Sequence, residues 1–225
     1  MRIVIFGANG TTGSEIVKQA RFAGHDVVGA VRRPETLADM DGIDVAKIDL
    51  SNHASLISAV RGSDAVVVAL GHGGLRSSAK PTSLYSDGIR AIRAAMREVG
   101  VSRIVALSSG GVVEDPQAPW FYRALIRPYL INTYVDLARM EAILEESEDL
   151  EWTSVRLTYL LEGKSKPFSA VEGEIGKGSF KIHVVDAARF VVSELNNNQW
   201  LRGHPVLGYV SGAAPKQLAD VVGQA

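Results

Sequence analysis

The sequence predicts a doubly wound α/β fold, a parallel sheet covered by helices on both faces. Three observations carry this prediction: short apolar runs recur along the chain, stretches with helical spacing separate them, and the turns between are short and carry Gly, Asp or Ser. A strand that is apolar at every position must be covered on both faces, and parallel neighbours need a crossover helix to join them. The chain has 225 residues, 46% of them apolar, enough for one substantial core, and residues 1–225 read as a single domain.

The elements follow in order. "RIVIF" (2–6) is the first strand, and Ile16, Val17, Ala20 and Ala23 then mark the apolar face of a helix. "AGHD" (23–26) turns the chain into "DVVGAV" (26–31), "DVAKI" (44–48) is a third strand, and "RGSD" (61–64) leads into "DAVVVAL" (64–70). Ile89, Ile92, Ala95 and Met96 mark another helix, "VGVSR" (99–103) closes it, and "SRIVALS" (102–108) and "WTSVRL" (152–157) are the fifth and sixth strands. After about residue 110 the beat weakens. "GGVVEDPQAPWFYRALIRPYL" and "EGKSKPFSAVEGEIGKG" interrupt it, and segments around 111–134 and 160–182 are expected to form a small substrate lobe, because open α/β sheets grip substrates beyond their strand ends. "IHVVDAARFVVSEL" (182–195), with Asp186 near its start, reads as the helix that closes this lobe.

Charge and composition exclude several functions. Lys plus Arg number 24 and Asp plus Glu 25, a net charge of -1 without a block of like sign, so neither nucleic acid nor a membrane surface is an expected partner. A small molecule is, with the oligomeric state open between monomer and dimer. There is no cysteine, hence no disulfide, thiolate ligand or cysteine nucleophile. His25, His53, His72, His183 and His204 lack the paired spacing of metal ligands, so no metal site is expected. "MRIVIFGANG" is too short for a signal-peptide core or a membrane span, and the expected location is the cytoplasm.

The most informative stretch is "GANGTTG" (7–13). After a strand and before a helix, Gly7 permits a tight turn, Gly10 lets a pyrophosphate approach the backbone, and Gly13 allows helix and strand to pack closely. The helix start offers unpaired N–H groups and a positive dipole end, with the hydroxyls of Thr11 and Thr12 as further donors; Asn9 lies in the same loop. This is a dinucleotide-binding pattern. The second strand runs into Arg32 and Arg33 where an NAD-type site places an acid, and two guanidiniums suit a 2′-phosphate, so NADP(H) is the expected cofactor. Asp49 and Leu50 fall where adenine usually lies, although Asp49 reads equally as a helix cap. Leu70, Gly71 and His72, in "ALGHGG", fall near the nicotinamide ribose.

With "VRRPETL", "DAVVVALG", "SRIVALSSGGV" and "LEWTSVRLTYLLEG", the glycine motif resembles the atypical short-chain dehydrogenase/reductases with an NADP-binding Rossmann fold, in particular their biliverdin-IXβ reductase/flavin reductase group, with nitrogen-metabolite-repression-type redox sensors as close relatives. The resemblance implies that Ser108 or Ser109 stands beside the nicotinamide, with Ser109 orienting the acceptor, and that Leu157, Thr158, Tyr159 and Leu160 lie along the ring with backbone contacts to its carboxamide. Tyr159 stands where the reductases have a histidine. The main branch of the superfamily places a Lys four residues after its catalytic Tyr, and the cation lowers the phenol's pKa. No lysine occurs between Lys80 and Lys164, and Tyr122, Tyr129 and Tyr134 are followed at that spacing by Ile126, Thr133 and Ala138. The expected activity is therefore NADPH-dependent hydride delivery to a conjugated acceptor such as a flavin, bilin or quinone. A non-catalytic NADP(H) sensor, or another atypical reductase or epimerase-like enzyme, is the alternative. In "WFYRALIRPYL" (120–130), the aromatic rings with Arg123 and Arg127 suit a flat anionic acceptor, or else pack on the core or a second subunit.

Overall fold

The computed structural model describes residues 1–71, 80–114, 120–173 and 180–209. In chain order the strands are β1 (Arg2–Phe6), β2 (Asp26–Val31), β3 (Asp44–Lys47), β4 (Ala65–Val68), β5 (Arg103–Ser109), β6 (Glu151–Leu157), β7 (Tyr159–Leu161), β8 (Ser169–Glu172), β9 (Lys181–His183) and β10 (Pro205–Gly208). Among the described residues the helices are α1 (Thr11–Phe22), α2 (His53–Val60), α3 (Leu84–Val99), α4 (Arg127–Glu145) and α5 (Val184–Asn197).

The main sheet runs β3-β2-β1-β4-β5-β6-β10-β8. From β3 through β6 to β10 every pairing is parallel, and the order reverses between β1 and β4, as in a Rossmann-type α/β fold. The sheet is not parallel throughout: β8 returns from the 160s antiparallel to β10, and β7 pairs with β9 in a separate ribbon.

Strand composition explains the layers. In β1, Val4 and Phe6 point into one core with Leu56 of α2, Ile89 and Ile92 of α3, and Met140 of α4, while Ile3 and Ile5 point into the other with Ile16 of α1 and Val191 of α5. Successive side chains alternate faces, so a strand covered on both sides is apolar at each position. Ile16, Val17 and Ala20 are buried as the spacing predicts; Ala23 instead terminates α1 and is exposed.

Buried charges fix the second half of the sheet. The Arg103 guanidinium donates to Glu194 Oε1 (3.0 Å) and to Thr153 Oγ1 (2.9 Å), and Glu194 also accepts from the amides of Gln199 and Trp200, locking α5 onto β5 and β6. Burial lowers the Arg103 pKa, while the Glu194 charge and hydrogen bond work against that. Asp136, fully buried on α4, accepts from the Tyr85 amide (2.8 Å) and the Ser86 hydroxyl (2.5 Å), so a residue of one helix caps another. Asp186 at the start of α5 accepts from the Ser165 hydroxyl (2.6 Å), the Lys166 amide (3.2 Å) and the Tyr209 hydroxyl, which ties the 160s to this helix.

Removing one partner of a buried pair strands the other charge in the core. Glu194→Ala is expected to cost about 3 kcal/mol or more of stability, and Asp136→Ala about 2–3 kcal/mol, both read as lower urea midpoints at unchanged slope.

Candidate active site

The glycine turn at the end of β1 is built from two backbone contacts that no side chain could share. Gly7 has φ of 80°, and a Cβ there would overlap the Ala69 carbonyl; a Cβ on Gly13 would overlap the Gly7 carbonyl. The first turn of α1 therefore sits directly on the strand end. Gly10, exposed and extended at φ -75° and ψ 162°, is the N-cap; no side chain caps the helix and its first turn carries no acid. Asn9 and Thr11 are exposed beside it and Thr12 is half-buried. A cradle of bare N–H groups at a positive helix end fits a dinucleotide pyrophosphate.

Arg32 and Arg33 follow β2 and are exposed, next to a short 3₁₀ turn over Pro34–Leu37. Asp49 is not a helix cap: Asn52 caps α2 by accepting from the Ser55 amide, and Asp49 instead accepts from the Ser51 amide (2.9 Å) and hydroxyl (2.7 Å). Those bonds, with a smaller contribution from the Arg32 charge, hold the Asp49 carboxyl below its ordinary pKa. Leu50 and Leu70 are half-buried on the α2/α3 core, Leu70 against the bare Cα of Gly88, and Gly71 is exposed. His72 lies outside the described residues, as do 115–119 and 174–179 of the two lobe segments.

At the end of β5 the structure brings together side chains that the sequence separates. Ser109 accepts from the Gly111 amide (3.2 Å), and its hydroxyl borders the hydroxyl of Tyr134 on α4. The Tyr134 ring occupies the space that a Gly111 side chain would fill. On its other side the Tyr134 hydroxyl lies 2.9 Å from the hydroxyl of Tyr122. Burial and the Tyr122 interaction push the Tyr134 phenol well above its ordinary pKa, against weaker downward pulls from Ser109 and the Arg127 charge. Arg127 Nε is buried without a hydrogen-bond partner among the described residues.

Ser108 points the opposite way, to Glu141 of α4, where its hydroxyl borders the carboxylate but finds no partner of good geometry among the described residues. Glu141 takes a fork from Arg156 (3.0 and 2.8 Å) and the Ser154 hydroxyl (3.1 Å), with His204 Nδ1 at 3.6 Å. Burial alone would raise this carboxyl; His204, Arg156 and Ser108 outweigh it and hold the pKa at about 2.

Leu157 stands opposite Ser109 in the β5/β6 register. The next residues leave that row: the Thr158 hydroxyl donates to the Leu207 carbonyl (2.8 Å), and the Tyr159 amide donates to the Phe180 carbonyl (2.9 Å). Tyr159 and Leu160 belong to the β7/β9 ribbon and are exposed, so the Tyr159 N–H is spent and not open to a carboxamide. The rings of "WFYRALIRPYL" do not pack uniformly on the core. Trp120 is 76% exposed and Phe121 and Tyr129 nearly half, whereas Tyr122 turns inward to Tyr134. Sequence reading missed Tyr134 because it sought a lysine four residues on and found Ala138. Its signal was the tyrosine itself, on the helix after the Ser108–Ser109 strand end.

A family model described as NAD(P)H-binding matches residues 7–198. The chain belongs to the NAD(P)H-binding family. UPF0659 protein C216.03 of Schizosaccharomyces pombe is 23% identical over 232 residues, covering 94% of this chain and 90% of that protein. Among solved structures, SP1627 of Streptococcus pneumoniae TIGR4, described as a candidate NADH-flavin reductase, superposes with a TM-score of 0.74 at 20% identity, over 93% of this chain and 100% of that one. A short-chain dehydrogenase/reductase of Veillonella parvula DSM 2008 in complex with NADP gives 0.73 at 16% identity, over 92% and 94%. These likenesses show a shared Rossmann-type α/β fold. No described helix is long and apolar enough to cross a membrane.

Two predictions follow from this geometry. Gly10→Ala, whose Cβ would lie 3.3 Å from the Gly7 carbonyl, is expected to leave the apo melting temperature within a few degrees while weakening nucleotide binding. By calorimetry the weakening should be about tenfold or more, whereas Gly13→Ala should destabilise the chain without ligand. For Glu141, the folded pKa lies below the ordinary 4.5, so its stabilisation is complete above that value and disappears as pH falls toward about 2. Glu141→Gln should therefore be less stable than the wild type at pH 7 by about 3 kcal/mol, with the gap closing on acidification in parallel urea titrations.

Proposed function

We propose that the chain is an NADPH-dependent reductase that passes a hydride to a conjugated acceptor such as a flavin, a bilin or a quinone. The observation that carries this reading is the placement of half-buried Ser109 beside the buried Tyr134 hydroxyl at the end of β5, on the sheet edge that also bears the glycine cradle. When bound, the reduced nicotinamide supplies the hydride. The chain's own residues bind and orient: α1 and the glycine turn take the pyrophosphate, and Arg32 with Arg33 take the 2′-phosphate. Ser109 and Tyr134 offer hydroxyls to the heteroatom on which the acceptor's charge collects. A chain without cysteine that draws on NADPH suits the reducing cytoplasm.

The test is a panel of a flavin, a bilin and a quinone mixed with protein and NADPH, following loss of nicotinamide absorbance. Turnover with at least one acceptor is expected; tight NADPH binding with turnover of none would instead favour a redox sensor. In the same assay the double change Arg32→Ala, Arg33→Ala should raise the Kd for NADPH by about tenfold or more and that for NADH by about twofold or less. Equal losses would contradict the 2′-phosphate assignment.

A further inference from the structure

We propose that Tyr122 is a proton-relay residue, handing a proton from solvent to Tyr134, so that two tyrosines and no lysine recharge the site. The proposal rests on the reductase reading above. An acceptor that has taken a hydride needs one proton. Tyr134, 7% exposed, meets three groups: Ser109, the Arg127 charge and the Tyr122 hydroxyl at 2.9 Å. Ser109 ends β5 and, on the reductase reading, serves the acceptor. Arg127 can favour a phenolate through its charge, but a guanidinium does not give up a proton in a protein. Tyr122 and Ser109 are both half-exposed O–H donors; the reductase reading gives Ser109 to the acceptor, which leaves Tyr122 to meet solvent.

The backbone is arranged to make this contact. Tyr122 and Tyr134 are twelve residues apart. A straight α-helix would set their Cα atoms about 18 Å apart, beyond what two tyrosine side chains span comfortably. A π turn over Tyr122–Ile126 and then Pro128, in the first turn of α4, lie between them, and both features bend helices. The flanking Trp120, Phe121 and Leu125 stay exposed while Tyr122 turns in, so burial of apolar surface does not explain its orientation.

The proton balance closes. The Tyr134 O–H bond breaks as its proton passes to the reduced acceptor, the Tyr122 O–H bond breaks as its proton passes to Tyr134, and water reprotonates Tyr122. The chain is unchanged and the net reaction consumes one solvent proton. Because burial makes an isolated Tyr134 phenolate costly, the two transfers are coupled.

The test has two arms. In protein without nucleotide, labelled at the tyrosine ζ carbon, Tyr122→Phe is expected to shift the Tyr134 resonance; an unmoved resonance overturns the relay whatever the activity. In turnover with NADPH, Tyr122→Phe should leave NADPH affinity unchanged, lower kcat by about tenfold or more, and convert a curved dependence of rate on deuterium fraction into a linear one. A variant with wild-type kcat and wild-type curvature overturns the relay and leaves the reductase reading standing. A wild-type chain that binds NADPH but reduces no acceptor overturns the reading and the relay together.

Discussion

Where α1 begins, two stretches of backbone meet with no side chain between them, and the functional half of the molecule hangs from that contact. Gly13 lies on the Gly7 carbonyl, and Gly7 in turn lies against the Ala69 carbonyl at the end of β4. The contact aims the first N–H groups of α1 across the strand ends at the place where the sheet order reverses between β1 and β4. A reversal leaves a crevice, because the chain departs from the central strands in opposite directions. A methyl group at Gly7 or Gly13 would push helix from strand and close the crevice from within.

The Ser109 and Tyr134 hydroxyls are placed by a different device. Tyr134 sits on α4, which is gripped two residues later by Asp136 reaching into the start of α3, and seven residues later by Glu141 reaching onto β6. Apolar packing alone lets a helix slide by fractions of an ångström at little cost. A buried carboxylate does not slide, because each hydrogen bond lost leaves a charge exposed to a medium that cannot solvate it. Such a grip contributes little net stability beyond what apolar residues would give, and much positional definition. It sets the tyrosine hydroxyl against Ser109, whose strand is itself fixed at its other end by the Arg103–Glu194 pair.

The parts legible in the sequence are those specified by neighbours in the chain. The first six strands, the glycine turn and the helix over 184–197 follow from local apolar periodicity and turn chemistry. The parts that were not legible depend on distant partners. β10 is four residues introduced by a proline, and β8 is a half-exposed edge strand with no apolar alternation to announce it. Asp49 and Asn52 both fit a helix cap by type, and only the geometry selects Asn52. The π turn has no compositional signature, so nothing in "WFYRALIRPYL" reveals that one ring of the run turns inward while its neighbours stay exposed.

The lack of a lysine after Tyr134 narrows the chemistry more than it weakens it. A lysine beside a phenol does two jobs: its charge favours the phenolate, and its ammonium can lose a proton and regain it. Arg127 can do only the first, and it is the weaker of the influences on a phenol that burial drives upward. A site of this kind is poorly suited to abstract a proton from an alcohol, which needs a phenolate at neutral pH. It is suited to the reverse direction, in which the phenol stays protonated until the hydride has arrived and only then donates. Acceptors that spread charge over a conjugated frame make the hydride step favourable and leave only that last protonation to the protein. The conjugated acceptor proposed above, whose delocalised charge asks little of an acid, is compatible with a phenol that burial makes a weak one.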